Sequence, residues 1–152
     1  MTLSEIAGRR RGREAALQML YQSEIGRTDL GTVIDHYWTA EDAGESEPVE
    51  SAAPESLREF ANALARGTHE RMPEIDRLLQ AHAQNWRLER MAVIDRLVLR
   101  LAVFELLAEA ATPARVVINE AIELARTFST EEAVGFVNGI LDAVRRAISR
   151  DA

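Results

Sequence analysis

Apolar residues recur at helical spacing, three and four apart, along most of this chain. Ala16, Leu17, Leu20 and Tyr21 form one such face in the first segment. Gly26 followed by Thr28-Asp29 then reads as a stop and a new start. A shorter second helix runs through Val33, Ile34, Tyr37 and Trp38, and a third aligns Leu57, Phe60, Ala61, Leu64 and Ala65 on one stripe. Pro73 suits the first turn of a fourth, where its missing N–H would be unpaired anyway, and Ile75, Leu78, Leu79 and His82 fall on that helix's inner face.

The run MAVIDRLVLRLAVFELLAEA, residues 91–110, is apolar on nearly every side and predicts a central helix packed all round. Its charges, Asp95, Arg96, Arg100, Glu105 and Glu109, exclude a membrane span. Thr112-Pro113 reads as N-cap and first position of the next helix, which would bury Val117, Ile118, Ala121, Ile122, Ala125 and Phe128. Ser129 with Glu132 three residues on has the spacing of a capping box. The last helix would bury Val134, Val137, Leu141, Val144 and Ile148. No strand-like alternation and no internal repeat occurs. The fold class is all-α, with about seven helices. Only residues 39–56, TAEDAGESEPVESAAPES, lack a period; Gly44, Pro48 and Pro54 among acids and small residues predict a solvated acidic loop.

At 152 residues and 47% apolar, the chain suffices for one domain, or two small sub-bundles sharing a core. It has no cysteine, so it needs no oxidising compartment, and it shows no signal-peptide pattern. A cytoplasmic location is the expectation. The net charge is −7, yet residues 1–13 carry +3 from Arg9, Arg10, Arg11 and Arg13 against Glu5. From Thr28 to Leu57 there is no Arg or Lys, while eight acids accumulate. A basic head on an acidic body fits a polyanion touched locally rather than wrapped.

Catalytic chemistry finds little support. His36, His69 and His82 are far apart without metal-ligand spacing, and Gly8 and Gly12 lack a phosphate-loop pattern. Glu120 and Glu123 lie near Arg126 on a polar helix face, which reads as a solvated i,i+3 set. Neither an enzyme nor a metal or cofactor is expected.

The arginines are locally wrong for stability. Cations at a helix start oppose the macrodipole at about 0.3–1 kcal/mol each, and Arg9 and Arg13 repel at i,i+4; Arg10 with Glu14 is the favourable pair. Guanidinium forks match phosphates and stack on bases, so a binding role would explain the cost; a solvated tail is the other reading. Phe136 lies toward the edge of the last helix's core face, able to stack on an unpaired base or pack on a neighbouring helix. Gly135 and Gly139, four apart, read as a close-packing site. On the central helix, Asp95, Arg96, Arg100 and Glu105 form either an intramolecular salt-bridge set or a docking surface.

Three stretches carry a resemblance. RRRGREAALQMLY (9–21) and VINEAIELARTFSTEEAVGFVNGILD (117–142) closely resemble the opening and closing signatures of the NusB family of bacterial transcription antitermination factors. VLRLAVFEL (98–106) resembles the family's central-helix segment. The similarity covers essentially the whole chain and is weakest over 27–56. It implies a NusB-like fold of two packed helical sub-bundles, here about 4–71 and 72–150. It implies a non-enzymatic factor that binds single-stranded boxA RNA together with the ribosomal protein NusE. That complex would join other Nus factors on RNA polymerase and promote processive transcription of ribosomal RNA operons.

By motif, Arg9, Arg10, Arg11 and Arg13 correspond to the family's arginine-rich RNA-binding start, with Tyr21 and Phe136 as aromatic positions of the RNA surface. Glu132 takes the acidic position that modulates RNA binding, and Asp95 and Arg100 are candidates for the NusE side. Gly12 departs from the pattern by loosening the start of the basic helix, and the acidic loop matches no family pattern. A helical protein-interaction module, or an RNA-targeting partner of a separate ribosomal-RNA-modifying enzyme, are the alternatives. The enzyme would be separate because 152 residues leave no room for a catalytic domain.

Replacing all four arginines with alanine should weaken RNA binding greatly without loss of helix content. If all four neutralise phosphates, affinity for a single strand should fall with salt at a slope of about −3, at roughly −0.7 per phosphate.

Overall fold

A computed structural model describes residues 3–40, 53–83 and 87–148. Seven α-helices and no strand occur among them: α1 (Leu3–Gly26), α2 (Leu30–Ala40), α3 (Glu55–Glu70), α4 (Met72–His82), α5 (Val93–Ala108), α6 (Ala114–Phe128) and α7 (Glu131–Ala147). A 3₁₀ turn, Leu88–Arg90, precedes α5. Of the predicted acidic loop 39–56, residues 41–52 lie outside the described residues; Thr39 and Ala40 close α2, and Glu55 and Ser56 open α3. None of the described helices is long and apolar enough to cross a membrane. The chain divides into two compact units, Met1–Arg66 and Gly67–Ala152.

In the first unit α1 packs on α2. The stripe Ala15, Ala16, Leu17, Met19 and Leu20 is buried with Val33, Ile34 and Trp38 of α2 and Leu57, Ala61, Leu64 and Ala65 of α3. Two polar bonds fix the arrangement. The Tyr37 hydroxyl donates to Gln18 Oε1 at 2.6 Å, and Trp38 Nε1 donates to Asn62 Oδ1 at 2.8 Å.

Helix α1 ends through its backbone. Thr28 N–H donates to Ser23 O and Arg27 N–H to Glu24 O, the paired closure of a Schellman motif. Arg27, one residue past Gly26, takes the left-handed conformation with φ 51°. The predicted stop at Gly26 is therefore correct, but an arginine occupies the place where a glycine would avoid a cost of about 1 kcal/mol.

The second unit is built on α5, which packs on α4, α6 and α7. Every residue from Leu97 to Val103 is buried, as the apolar run predicts. In α6 the buried face is Ala114, Val117, Ile118, Ala121, Leu124 and Ala125, while Ile122 and Phe128 are half-buried. The α6 start lies one residue later than the sequence implies: Pro113 is the N-cap and Thr112 is buried outside the helix. The glycine at 67 admits Phe104, whose ring fills the space a Cβ would take. In α7 the buried residues are Ala133, Val137, Ile140, Leu141 and Val144, so the core face is turned slightly from the predicted one; Val134 and Ile148 sit at its margins.

The predicted Ser129 capping box does not form. Thr130 is the N-cap of α7, its hydroxyl accepting from Ala133 N–H at 3.1 Å. Ser129 instead donates from Oγ to Asp95 Oδ1 at 2.5 Å, tying the α6–α7 turn to α5. A hydroxyl bond to a buried carboxylate is charge-assisted and so stronger than the neutral local cap that Ser129 forgoes. Thr130→Ala should lower stability by about 1 kcal/mol through loss of the cap. Ser129→Ala should cost more, about 1–3 kcal/mol, because it strips a donor from Asp95. Chemical denaturation of the two variants checks the order.

Candidate nucleic-acid interface

The four arginines do not stand at a helix start. Helix α1 begins at Leu3, with Glu5 in its first turn, so the guanidinium groups fall in the second and third turns. The macrodipole acts mainly within the first turn, and the predicted penalty is accordingly relieved. Gly12 also departs from its predicted role. It is helical and buried, and a Cβ there would stand 2.7 Å from Phe60 Cδ2. The missing side chain is the space into which Phe60 of α3 packs, so this glycine fastens the basic helix rather than loosening it.

Around Phe60 the arginines part company. Arg9 and Arg13, one turn apart, place their Cζ atoms 4.8 Å and 5.5 Å from the ring centroid. The electron-rich phenyl face stabilises both cations at such distances and offsets their mutual repulsion. Arg13 is only 4% exposed, Arg9 and Arg11 are half-buried, and Arg10 is exposed. Arg13 thus acts as a buried prop of the cluster, and Arg9, Arg10 and Arg11 form its accessible side. Beside them, Arg9, Phe60 and Glu5 line part of a cleft of about 470 Å³ between the starts of α1 and α3.

Tyr21 is 39% exposed on the same helix. Eleven residues, close to three turns, separate it from Arg10, so the two lie on nearly one line of α1, roughly 16–17 Å apart along the axis. Glu132 and Phe136 belong to the second unit, one turn apart on α7; Glu132 is exposed and Phe136 half-buried. Gly135 and Gly139 do not support the close-packing role read from their spacing. Both are exposed, and a Cβ at either would meet nothing within 4 Å.

Asp95 and Arg100 are 7% and 9% exposed and do not make one surface. Asp95 accepts from Ser129, whereas Arg100 forks onto Asp76 of α4, Nε to Oδ1 at 2.8 Å and Nη2 to Oδ2 at 2.9 Å. The intramolecular reading accounts for both contacts. Arg96 donates to Leu88 O at 3.1 Å, fixing the 3₁₀ turn against α5. On α6 Arg126 bridges Glu123, its i,i+3 neighbour, at 2.7 Å, and also Glu131 at 3.2 Å.

Sequence reasoning missed Phe60 and Asp76. Phe60 sat on an apolar stripe and read as plain core, and Asp76 is 24 residues from the arginine it pairs with. Only Gly12 hinted at the first, because an interior helical glycine calls for a close neighbour.

These features define an all-helical protein whose first helix presents a preformed arginine cluster. The chain belongs to the NusB family, whose family model matches residues 10–146. It is 41% identical over 145 residues to the transcription antitermination protein NusB of Myxococcus xanthus, covering 95% of this chain and 99% of the relative. Among solved structures, NusB of T. maritima superposes with a TM-score of 0.78 at 37% identity, over 91% of this chain and 90% of that one. A chain from a crystal structure of antitermination factors NusB and NusE in complex with dsRNA has the same fold, with a TM-score of 0.76 at 23% identity over 93% of this chain and 98% of that one.

With Arg13 buried, three arginines remain for phosphates, and the salt slope expected for RNA binding drops to about −2. Arg10→Ala should reduce the slope by roughly 0.7 while costing no more stability than an exposed surface pair, about 0–1 kcal/mol. Arg13→Ala should lower the melting temperature instead. Salt titrations paired with thermal melts separate the two roles.

Proposed function

We propose that this protein is a transcription antitermination factor. It binds single-stranded boxA RNA together with ribosomal protein NusE and so promotes processive transcription of ribosomal RNA operons. The observation that carries this reading is the accessible trio Arg9, Arg10 and Arg11 on an already formed helix, in a chain 41% identical to a transcription antitermination protein. A formed helix fixes where each arginine leaves the backbone, so less backbone-ordering entropy is lost when phosphates are engaged.

Arg9, Arg10 and Arg11 supply the phosphate contacts, and Arg13 holds them in place from beneath. Tyr21 and Phe136 offer aromatic faces to unpaired bases, whose edges are open to reading only in single strands. Glu132, exposed at the first turn of α7, repels phosphate and tempers affinity. The acidic remainder of the chain, at a net charge of −7, disfavours indiscriminate RNA binding. Selectivity then depends on NusE completing the surface. Asp95 and Arg100 serve that partnership by anchoring α5 to its neighbours, not by touching NusE themselves. The factor acts in the cytoplasm without catalysis, and its RNA–protein complex joins other Nus factors on RNA polymerase.

The test is fluorescence anisotropy of a labelled single-stranded boxA-type RNA, titrated with the protein alone and with NusE, against a scrambled RNA. Tighter binding to boxA, strengthened by NusE, is the expected result. Equal binding to both RNAs in both conditions would overturn the reading and favour a protein-interaction module.

A further inference from the structure

The cleft between the starts of α1 and α3 has a chemistry unlike that of the arginine face beside it. Glu5, Gly8 and Arg9 contribute its α1 wall, and Ser56, Leu57 and Phe60 its α3 wall. Its volume of about 470 Å³ falls within the range of small-molecule sites, about 300–1,000 Å³. In its lining the Glu5 carboxylate offsets the charge of Arg9 and the rest includes the apolar Leu57 and Phe60, so the site has no net charge to attract a phosphate. A flat, uncharged ring with polar edges suits it better. The Arg9 guanidinium, 4.8 Å above the Phe60 ring on one side, is itself a planar platform on which a base can stack. Glu5 can accept from an exocyclic amino group, and the Ser56 hydroxyl can donate or accept at a base edge.

We infer that this cleft is a subsite for one unpaired, amino-bearing nucleobase of the bound RNA, layered on Arg9 with Phe60 behind it. The inference rests on the RNA-binding reading above and adds to it a position where sequence is read. Arg9 then has two roles, screening the neighbouring phosphate and carrying the base. Arg10 and Arg11 contact the backbone alone.

Gly8 makes the test clean. Gly8 lines the cleft and a Cβ there meets nothing within 4 Å, so a side chain can be added at this position without moving the backbone. Leucine is also a better helix former than glycine, so Gly8→Leu fills the site while every charge stays in place. Binding of a single-stranded boxA-type RNA would be measured for the wild type, Gly8→Leu and Gly8→Ala across a salt series. The same RNA would be scanned with one base removed at a time.

A stacked base is worth at least about a fivefold change in affinity. Gly8→Leu should therefore bind at least about fivefold more weakly with an unchanged salt slope, and Gly8→Ala should bind as the wild type does. Removing one particular base should weaken the wild type by a similar factor and cost Gly8→Leu nothing further, because both changes delete the same contact. Wild-type affinity in Gly8→Leu, a shallower salt slope, or additive effects at every position would overturn the subsite and leave RNA binding intact. Effective competition by a free purine mononucleotide would make the cleft a nucleotide pocket and overturn it too. Failure of the wild type to bind any RNA would remove both the subsite and the function it rests on.

Discussion

The basic helix depends on one close approach, that of the Phe60 ring to the backbone of α1 at Gly12. With no side chain at residue 12, the ring reaches the helix surface and lies beside both Arg9 and Arg13. Two cations one turn apart would otherwise repel, and burying one of them would leave a charge out of water. The phenyl face eases both problems, and it does so from another helix, so the basic segment is held by packing. The cluster is a packed surface and not a frayed tail.

The second unit also buries charges. Its central helix buries Asp95, Arg100 and Glu105 among Leu and Val. For Arg100 the answer is a two-bond fork onto Asp76, and for Asp95 a hydroxyl from Ser129. The fork reaches α4 and the hydroxyl comes from the α6–α7 turn, so α5 is pinned to both at defined registers. Buried charges of this kind add little net stability over apolar packing, but removing one partner is costly. Here they fix which helix faces meet.

The helices themselves were legible. The apolar period set their number and most of their faces, Pro73 sat in the first turn of α4, and the stretch 97–103, apolar but for Arg100, became the helix buried on all sides. Their ends were less legible: α1 began six residues ahead of Arg9, the α7 cap fell on Thr130 instead of Ser129, and Pro113 took the cap position expected of Thr112. End signals depend on which of several adjacent hydroxyls has a better partner elsewhere, and that partner is distant in sequence.

The sequence by itself determined that the chain is all-α, that positive charge gathers on one helix of an acidic protein, and which family's signatures it carries. These follow from periodicity, composition and local motifs, all of which are short-range. Only the tertiary structure decided which arginines are accessible, what Gly12 is for, and that Asp95 and Arg100 answer to Ser129 and Asp76. Each of those depends on a side chain brought in by packing from 24 to 48 positions away, and no local pattern records that distance.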